Sequence, residues 1–159
     1  MTAKDATTIG EYANIFDINV RGVFFTVQTL LPLLNDGASV VLNAPVAGFK
    51  GMPNLSLYNS ASKAAVRSFA RSWATDLKDR RIRVNAISPG VTHTPILTGG
   101  LGLDQHGLAA LDDYLCTAAP AGRLAQPGEI AAVVLFLASG AASYVNGAEL
   151  CADGGLAQI

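Results

Sequence analysis

The sequence has little with which to cross-link itself. Its two cysteines, Cys116 and Cys151, follow no metal-ligand spacing and no disulfide framework. A disulfide-stapled secreted scaffold is thereby excluded. Both are expected to be small buried apolar residues in a reducing compartment, the cytoplasm. Charge is scarce and balanced, 11 Lys and Arg against 12 Asp and Glu, for a net charge of −1. Neither nucleic acid nor an anionic membrane finds an electrostatic hold on such a chain, and neither is expected as a partner. Long hydrophobic runs are missing too. The longest, from Val23 to Leu34, is interrupted by Thr26, Gln28, Thr29 and Pro32 and is too short to span a bilayer. The opening MTAKDATTIGEY lacks the apolar stretch of a signal peptide. No internal repeat or low-complexity tract occurs. His93 and His106 stand alone and are expected to be exposed or structural rather than ligands.

What is present is a chain of 159 residues, half of them hydrophobic. That suffices for one core and predicts a single domain over residues 1–159. Its organising stretch runs from Ser39 to Thr94. Ser39–Asn43 is a short Val-rich run. Asn59 to Asp79 carries Ala61, Ala64, Ala65, Phe69, Trp73, Ala74 and Leu77 at helical intervals, and Ile82–Ile87 is a β-branched run closed by Ser88-Pro89-Gly90. Strand, helix and strand in one unit predict a right-handed parallel crossover, with ligands bound beyond the carboxyl ends of the strands. Two loops lie there, 44–57 and 88–97. Tyr58 and Lys63 stand where the helix leaves the first loop. A phenol beside an ammonium can transfer a proton, because the cation stabilises the phenolate. The same two residues also fit an amphipathic Tyr and a surface Lys.

Upstream, Thr8 and Glu11 have capping-box spacing, and Tyr12, Ile15, Phe16, Val20, Val23, Phe24 and Val27 follow at helical intervals. A helix over 11–31 is expected, with Asn19 inside it and a turn at Asn35-Asp36-Gly37. Downstream, residues 97–121 show no regular pattern and are expected to form a flexible lid. The run Gly99-Gly100-Leu101-Gly102 is no phosphate loop: no strand precedes it, and Gln105 stands where GxGxxG needs its third glycine. Pro127-Gly128-Glu129 opens an apolar helix through Ala138. Ala148–Ala152 reads as a last short strand, leading into Asp153-Gly154-Gly155.

Five ordered motifs then bear on family: Asp17-Ile18-Asn19-Val20-Arg21-Gly22; Tyr58-Asn-Ser-Ala-Ser-Lys63-Ala-Ala-Val66; Ile82-Arg-Val-Asn-Ala-Ile-Ser-Pro-Gly90; Thr94-Pro95; and Asp153-Gly154-Gly155. In this succession they resemble the short-chain dehydrogenase/reductase family, over nearly the whole chain. The resemblance implies an α/β fold, a partial Rossmann-like, doubly wound parallel sheet of about three strands with flanking helices. It implies hydride transfer between NAD or NADP and a small-molecule carbonyl or alcohol. Tyr58 would be the acid/base and Lys63 would bind the nicotinamide ribose. Asn19 would hold a relay water, and Pro89, Gly90 and Thr94 would flank the nicotinamide.

Three departures qualify that expectation. The family opens with a strand, a Gly-rich turn and a helix N-terminus that cradles the pyrophosphate; these residues contain none, so cofactor binding is expected to be weakened. The family's catalytic Ser lies thirteen positions before the Tyr, where this chain has Pro45, which offers neither hydroxyl nor N–H. Finally, Tyr58 and Lys63 are five apart where the family has four. A four-residue step turns a helical side chain by about 40° net and a five-residue step by about 140°. A π-bulge absorbing Asn59, or a Tyr58 placed by the loop, would restore the pair. Alternatively Asn59 occupies the Tyr position and the phenol is lost. Half a doubly wound sheet is also expected to expose a strand edge and apolar surface. The helices at 11–31 and 59–79 resemble the family's main subunit contact, which implies a homo-oligomer. Three readings remain open: an active oxidoreductase, an impaired remnant, and a self-association or interaction module.

Overall fold

The computed structural model describes residues 7–46 and 61–158. Within them three parallel strands form one sheet in the order β1 (Ser39–Asn43), β2 (Arg83–Pro89), β3 (Glu149–Ala152). Ser39 pairs with Arg83 and Asn43 with Ile87, while Ala86 pairs with Glu149 and Pro89 with Ala152. The carboxyl ends of all three strands therefore meet at one edge. The expected strands and their parallel sense are all present.

The central strand explains its own sequence. Val84 through Ser88 are buried, as expected of a strand covered on both faces. Side chains alternate between those faces. Val40, Leu42, Val84 and Ala86 point to one side and join Val66, Ala70 and Ile82 in a core that Val23, Val27, Phe69, Trp73 and Leu77 extend. Each large side chain removed from water there contributes about 1.5–3 kcal/mol. The buried Asn85 is satisfied: its Nδ2 donates to Val145 O at 2.9 Å and its Oδ1 accepts from Ala148 N at 3.0 Å, which ties the entry of β3 to β2.

Five α-helices surround the sheet among the described residues: α1 (Ile9–Phe16), α2 (Gly22–Leu30), α3 (Ser62–Asp76), α4 (Gln105–Ala118) and α5 (Pro127–Ala138). Thr8 and Glu11 form the expected reciprocal capping box, and Pro127 opens α5. Two arginines finish helices whose last turns lack basic residues of their own. Arg80 donates to Leu31 O at 2.9 Å, to Leu34 O, and to Asp36 at 3.0 Å. Arg83 donates to Leu137 O at 2.9 Å and Ser139 O at 3.0 Å. A cation on terminal carbonyls satisfies both their lone pairs and the helix dipole.

The first helix runs as expected, with a π-turn, Asp17–Arg21, set between α1 and α2. Two expectations need correction. The region 97–121 is not an irregular lid. A π-turn at Ile96–Gly100 leads to the fourteen-residue α4, capped by Asp104, whose side chain accepts from Gly107 N at 2.8 Å. Leu115 of α4 is buried with Ala119 and Leu156, and Leu111 packs against them. The glycine run masked that helical spacing. Cys116 is exposed on α4 rather than buried, and Cys151 is half-buried. Both histidines are exposed. Among the described residues no helix is long and apolar enough to cross a membrane.

Candidate active site

The site is built where the strand ends meet α3 and the π-turn. A π-turn inserts one residue into a helix and re-aims its side chains, and such turns recur at functional positions. Here it carries Asn19. Asn19 Nδ2 donates to Ser62 Oγ at 3.2 Å, and Lys63 Nζ donates to Asn19 Oδ1 at 3.5 Å. Residues 44 positions apart are thus brought together. Ser62 is fully buried, so it fixes the amide from a rigid element, while Asn19 and Lys63 are half-buried. Burial pushes the Lys63 ammonium below its ordinary value of 10.5. A partly desolvated cation in that state gives up its proton more readily than one in water.

Tyr58 and Asn59 lie outside the described residues. The first described residue after them, Ala61, has π-type geometry ahead of α3.

Pro89 ends β2, and Gly90 follows with its N–H on Ala152 O at 3.0 Å. A Cβ on Gly90 would stand 2.6 Å from Asp153 Cα. Only glycine permits the two chain segments to approach so closely. Asp153 accepts from Gly155 N at 3.0 Å and Ala157 N at 2.9 Å, which fixes the turn after β3. Beyond Gly90 the loop is tied down by Ala125, which accepts from His93 N at 2.9 Å and donates to Val91 O at 3.0 Å. Half-buried Thr94 closes on the backbone, its Oγ1 donating to Thr92 O at 3.3 Å. Pro89, Gly90 and Thr94 therefore belong to the same sheet edge as Lys63 but to the neighbouring loop.

Sequence reasoning missed a buried polar cluster under the first loop. Arg67, one helical turn after Lys63, is buried; its Nη1 donates to Pro45 O at 3.4 Å and its Nε lies 3.5 Å from Glu149 Oε1. The buried Ser88 hydroxyl lies between Ala44 O, at 2.5 Å, and Glu149 Oε1. The available signal was an arginine beside Val66 on the buried stripe of a helix, and a glutamate in an otherwise apolar last strand. Each oddity called for the other.

At the strand ends the described residues offer a half-buried cation, an amide held beside it, and a position, Gly90, that presents no side chain. Among them no group of three His, Cys, Asp or Glu could hold a metal ion.

The family model described as Enoyl-(Acyl carrier protein) reductase matches residues 3–157. The chain is 42% identical over 153 residues to the oxidoreductase asL5 of Sarocladium schorii, covering 94% of this chain and 59% of that protein. It is 40% identical over 151 residues to a cyclopentanol dehydrogenase of Comamonas testosteroni, covering 94% and 58%. Among solved structures, levodione reductase superposes with a TM-score of 0.88 at 34% identity, covering 99% of this chain and 62% of that one. The gluconate 5-dehydrogenase of Burkholderia cenocepacia in complex with NADP and tartrate gives 0.87 at 29%, covering 99% and 60%. The chain thus spans about three-fifths of the length of these relatives, with the same parallel sheet and flanking helices, and it belongs to the short-chain dehydrogenase/reductase family.

Proposed function

We propose that residues 1–159 are one part of a single Rossmann-like domain, the part that faces the nicotinamide of NAD or NADP and a small carbonyl or alcohol. The Asn19–Ser62–Lys63 arrangement carries this reading, since it places a desolvated ammonium on a fixed amide at the strand ends. The cofactor supplies or accepts the hydride. Lys63 holds its ribose and keeps a proton path open, with the Asn19 carbonyl oxygen holding Nζ in place. Tyr58 exchanges the proton with the substrate oxygen. Pro89, Gly90 and Thr94 shape the nicotinamide wall, and the Ala44–Pro45 turn faces the substrate. The cyclopentanol dehydrogenase and the NADP-bound gluconate 5-dehydrogenase among its relatives support this class of chemistry.

Activity is impaired in this reading, because Pro45 cannot donate a hydrogen bond to the substrate oxygen and the Tyr58–Lys63 step is one residue longer than the family's. The test is turnover of cyclopentanol with NAD+ and NADP+. The chain is expected to be slow, Pro45→Ser to raise kcat about tenfold or more, and deletion of Asn59 to raise it further. Absence of turnover in all three, with no cofactor binding, would remove the enzymatic reading.

A second reading is favoured by one observation. The α2 end and the turn after it expose Phe25, Leu30 and Leu33, next to a groove formed by Phe24, Val27, Leu31, Trp73 and Leu77. That surface suits self-association, or pairing with full-length relatives through the helices near 11–31 and 59–79. A discrete dimer by sedimentation, without cofactor binding, would favour it. The free thiols of Cys116 and Cys151 support a cytoplasmic setting.

A further inference from the structure

Arg67, Glu149 and Ser88 come from α3, β3 and β2; Arg67 and Ser88 reach the backbone of the turn that leaves β1, and Glu149 stands behind both. The carbonyls of Ala44 and Pro45 are held from beneath, one by a hydroxyl and the other by a guanidinium. Ala44 N is already committed to Ile87 O at 2.9 Å. Nothing about packing alone requires ionised groups here, and an apolar set of the same volume would cost less desolvation. What such a set would lack is direction. A guanidinium has donors in a rigid fork, so it can face a carboxylate and a carbonyl at once. Arg67 also lies one turn along α3 from Lys63, on a helix whose first turn holds the site.

We infer that Arg67, backed by Glu149 and Ser88, is a positioning residue that locks the substrate-facing Ala44–Pro45 turn to the helix carrying Lys63. The inference rests on the nicotinamide-site reading for its catalytic meaning and on geometry alone for the lock itself. Loss of Arg67 frees the Pro45 carbonyl and leaves the half-buried Glu149 without the Arg67 charge beside it. The turn then drifts relative to Lys63, and substrate and proton donor lose register. Errors of that size are costly, because transfer needs reacting atoms held near contact.

Hydrogen exchange followed by mass spectrometry tests the lock directly. The chain, Arg67→Met, Arg67→Lys and the double variant Arg67→Met/Glu149→Met are compared in residues 39–46, with 127–138 as the internal reference. Arg67→Met is expected to speed exchange in 39–46 by tenfold or more beyond any change in 127–138. Arg67→Lys keeps the charge for Glu149 with a single donor head and is expected to speed it about threefold. The double variant, having no stranded charge, is expected to regain thermal stability while the turn stays fast. Should Arg67→Met not fold, the lysine and double variants carry the same comparison. Equal acceleration in both segments, or none in 39–46, would overturn the lock.

Cyclopentanol turnover then separates the two readings. A lock serving catalysis lowers kcat per folded molecule at least tenfold in Arg67→Met while the cofactor KM stays within twofold. An unchanged kcat with a fast turn would overturn the positioning role and leave the nicotinamide-site reading standing. A chain that neither binds cofactor nor turns over would sink that reading, and the exchange result would still decide the lock.

Discussion

On one face of the sheet, α2 and α3 cover Val40, Leu42, Val84 and Ala86, and aromatic rings close the layer: Phe69 stacks on Trp73 at 4.8 Å, with Phe24 against both. On the other face α5 is the helix that, among the described residues, lies across the strands. Its PGEIAAVVLFLA is apolar all round, yet Leu137 is its one fully buried residue, while Leu135 is 69% exposed and Phe136 39%. A helix apolar on every side is ordinarily a buried one. A groove of about 630 Å3 opens beside it, lined by Ile130, Val133 and the edge strand β3. The α3 face packs the larger core and carries the Asn19–Ser62–Lys63 and Arg67–Glu149 contacts of the candidate site. The comparison teaches that the two faces differ in how they are closed, although apolar side chains are exposed on both, at Phe25, Leu30 and Leu33 in and after α2 and at Leu135 and Phe136 on α5.

The sharpest way to break that contrast is a pair of truncations. Ile82→Ala, in the closed core, is expected to cost about 4 kcal/mol, since the surroundings cannot collapse. Leu137→Ala, against the open helix, is expected to cost about 2 kcal/mol because α5 can settle inward. Urea unfolding compares them, and equal costs would erase the distinction between the faces. Replacing both Leu135 and Phe136 by Ser is expected to shift stability by less than about 1 kcal/mol while reducing aggregation, measured by light scattering. A large loss of stability would show that α5 buries those residues after all.

Two pH effects are smaller. Burial holds Lys63 below 10.5 in the folded chain, so the folded chain releases this proton before the unfolded one does. Stability is therefore expected to rise with pH between the folded-state value and 10.5. Urea melts of Lys63→Met should lack that rise. On the α5 side, Arg123, which pairs with Glu129 at 2.7 Å, and then Gln126 N–H hold the Glu129 carboxyl at about 2 against an ordinary 4.5. The stability it lends is present above 4.5 and fades as pH falls towards 2. Glu129→Gln is expected to flatten that acid limb, and an unchanged limb would show the exposed pair to be inert.

Much of the closed face was legible in the sequence. The Val-rich run at 39–43, the helical stripe before Asp79 and the β-branched run at 82–87 set the crossover, because period and turn chemistry there agree. Asn19 and Lys63 were readable through the family motifs, and they meet. The π-turn at Asp17–Arg21 was not readable, since Phe16, Val20 and Val23 keep ordinary helical spacing across it. Helix α4 was hidden by the glycines before it, although Asp104 and the Leu108, Leu111, Leu115 spacing signal it. The Arg67–Glu149 pair joins residues 82 apart in sequence, a contact that only the register of β3 on β2 creates.

The central claim is that these residues form the nicotinamide-facing side of the site, and a half-cofactor isolates that claim. Reduced nicotinamide mononucleotide, titrated by its own fluorescence, is predicted to bind the chain and to lose affinity at least tenfold with Lys63→Met and with Asn19→Ala, while 5′-AMP does not compete. Binding unchanged by either substitution, or AMP bound in place of the nicotinamide half, would contradict the account.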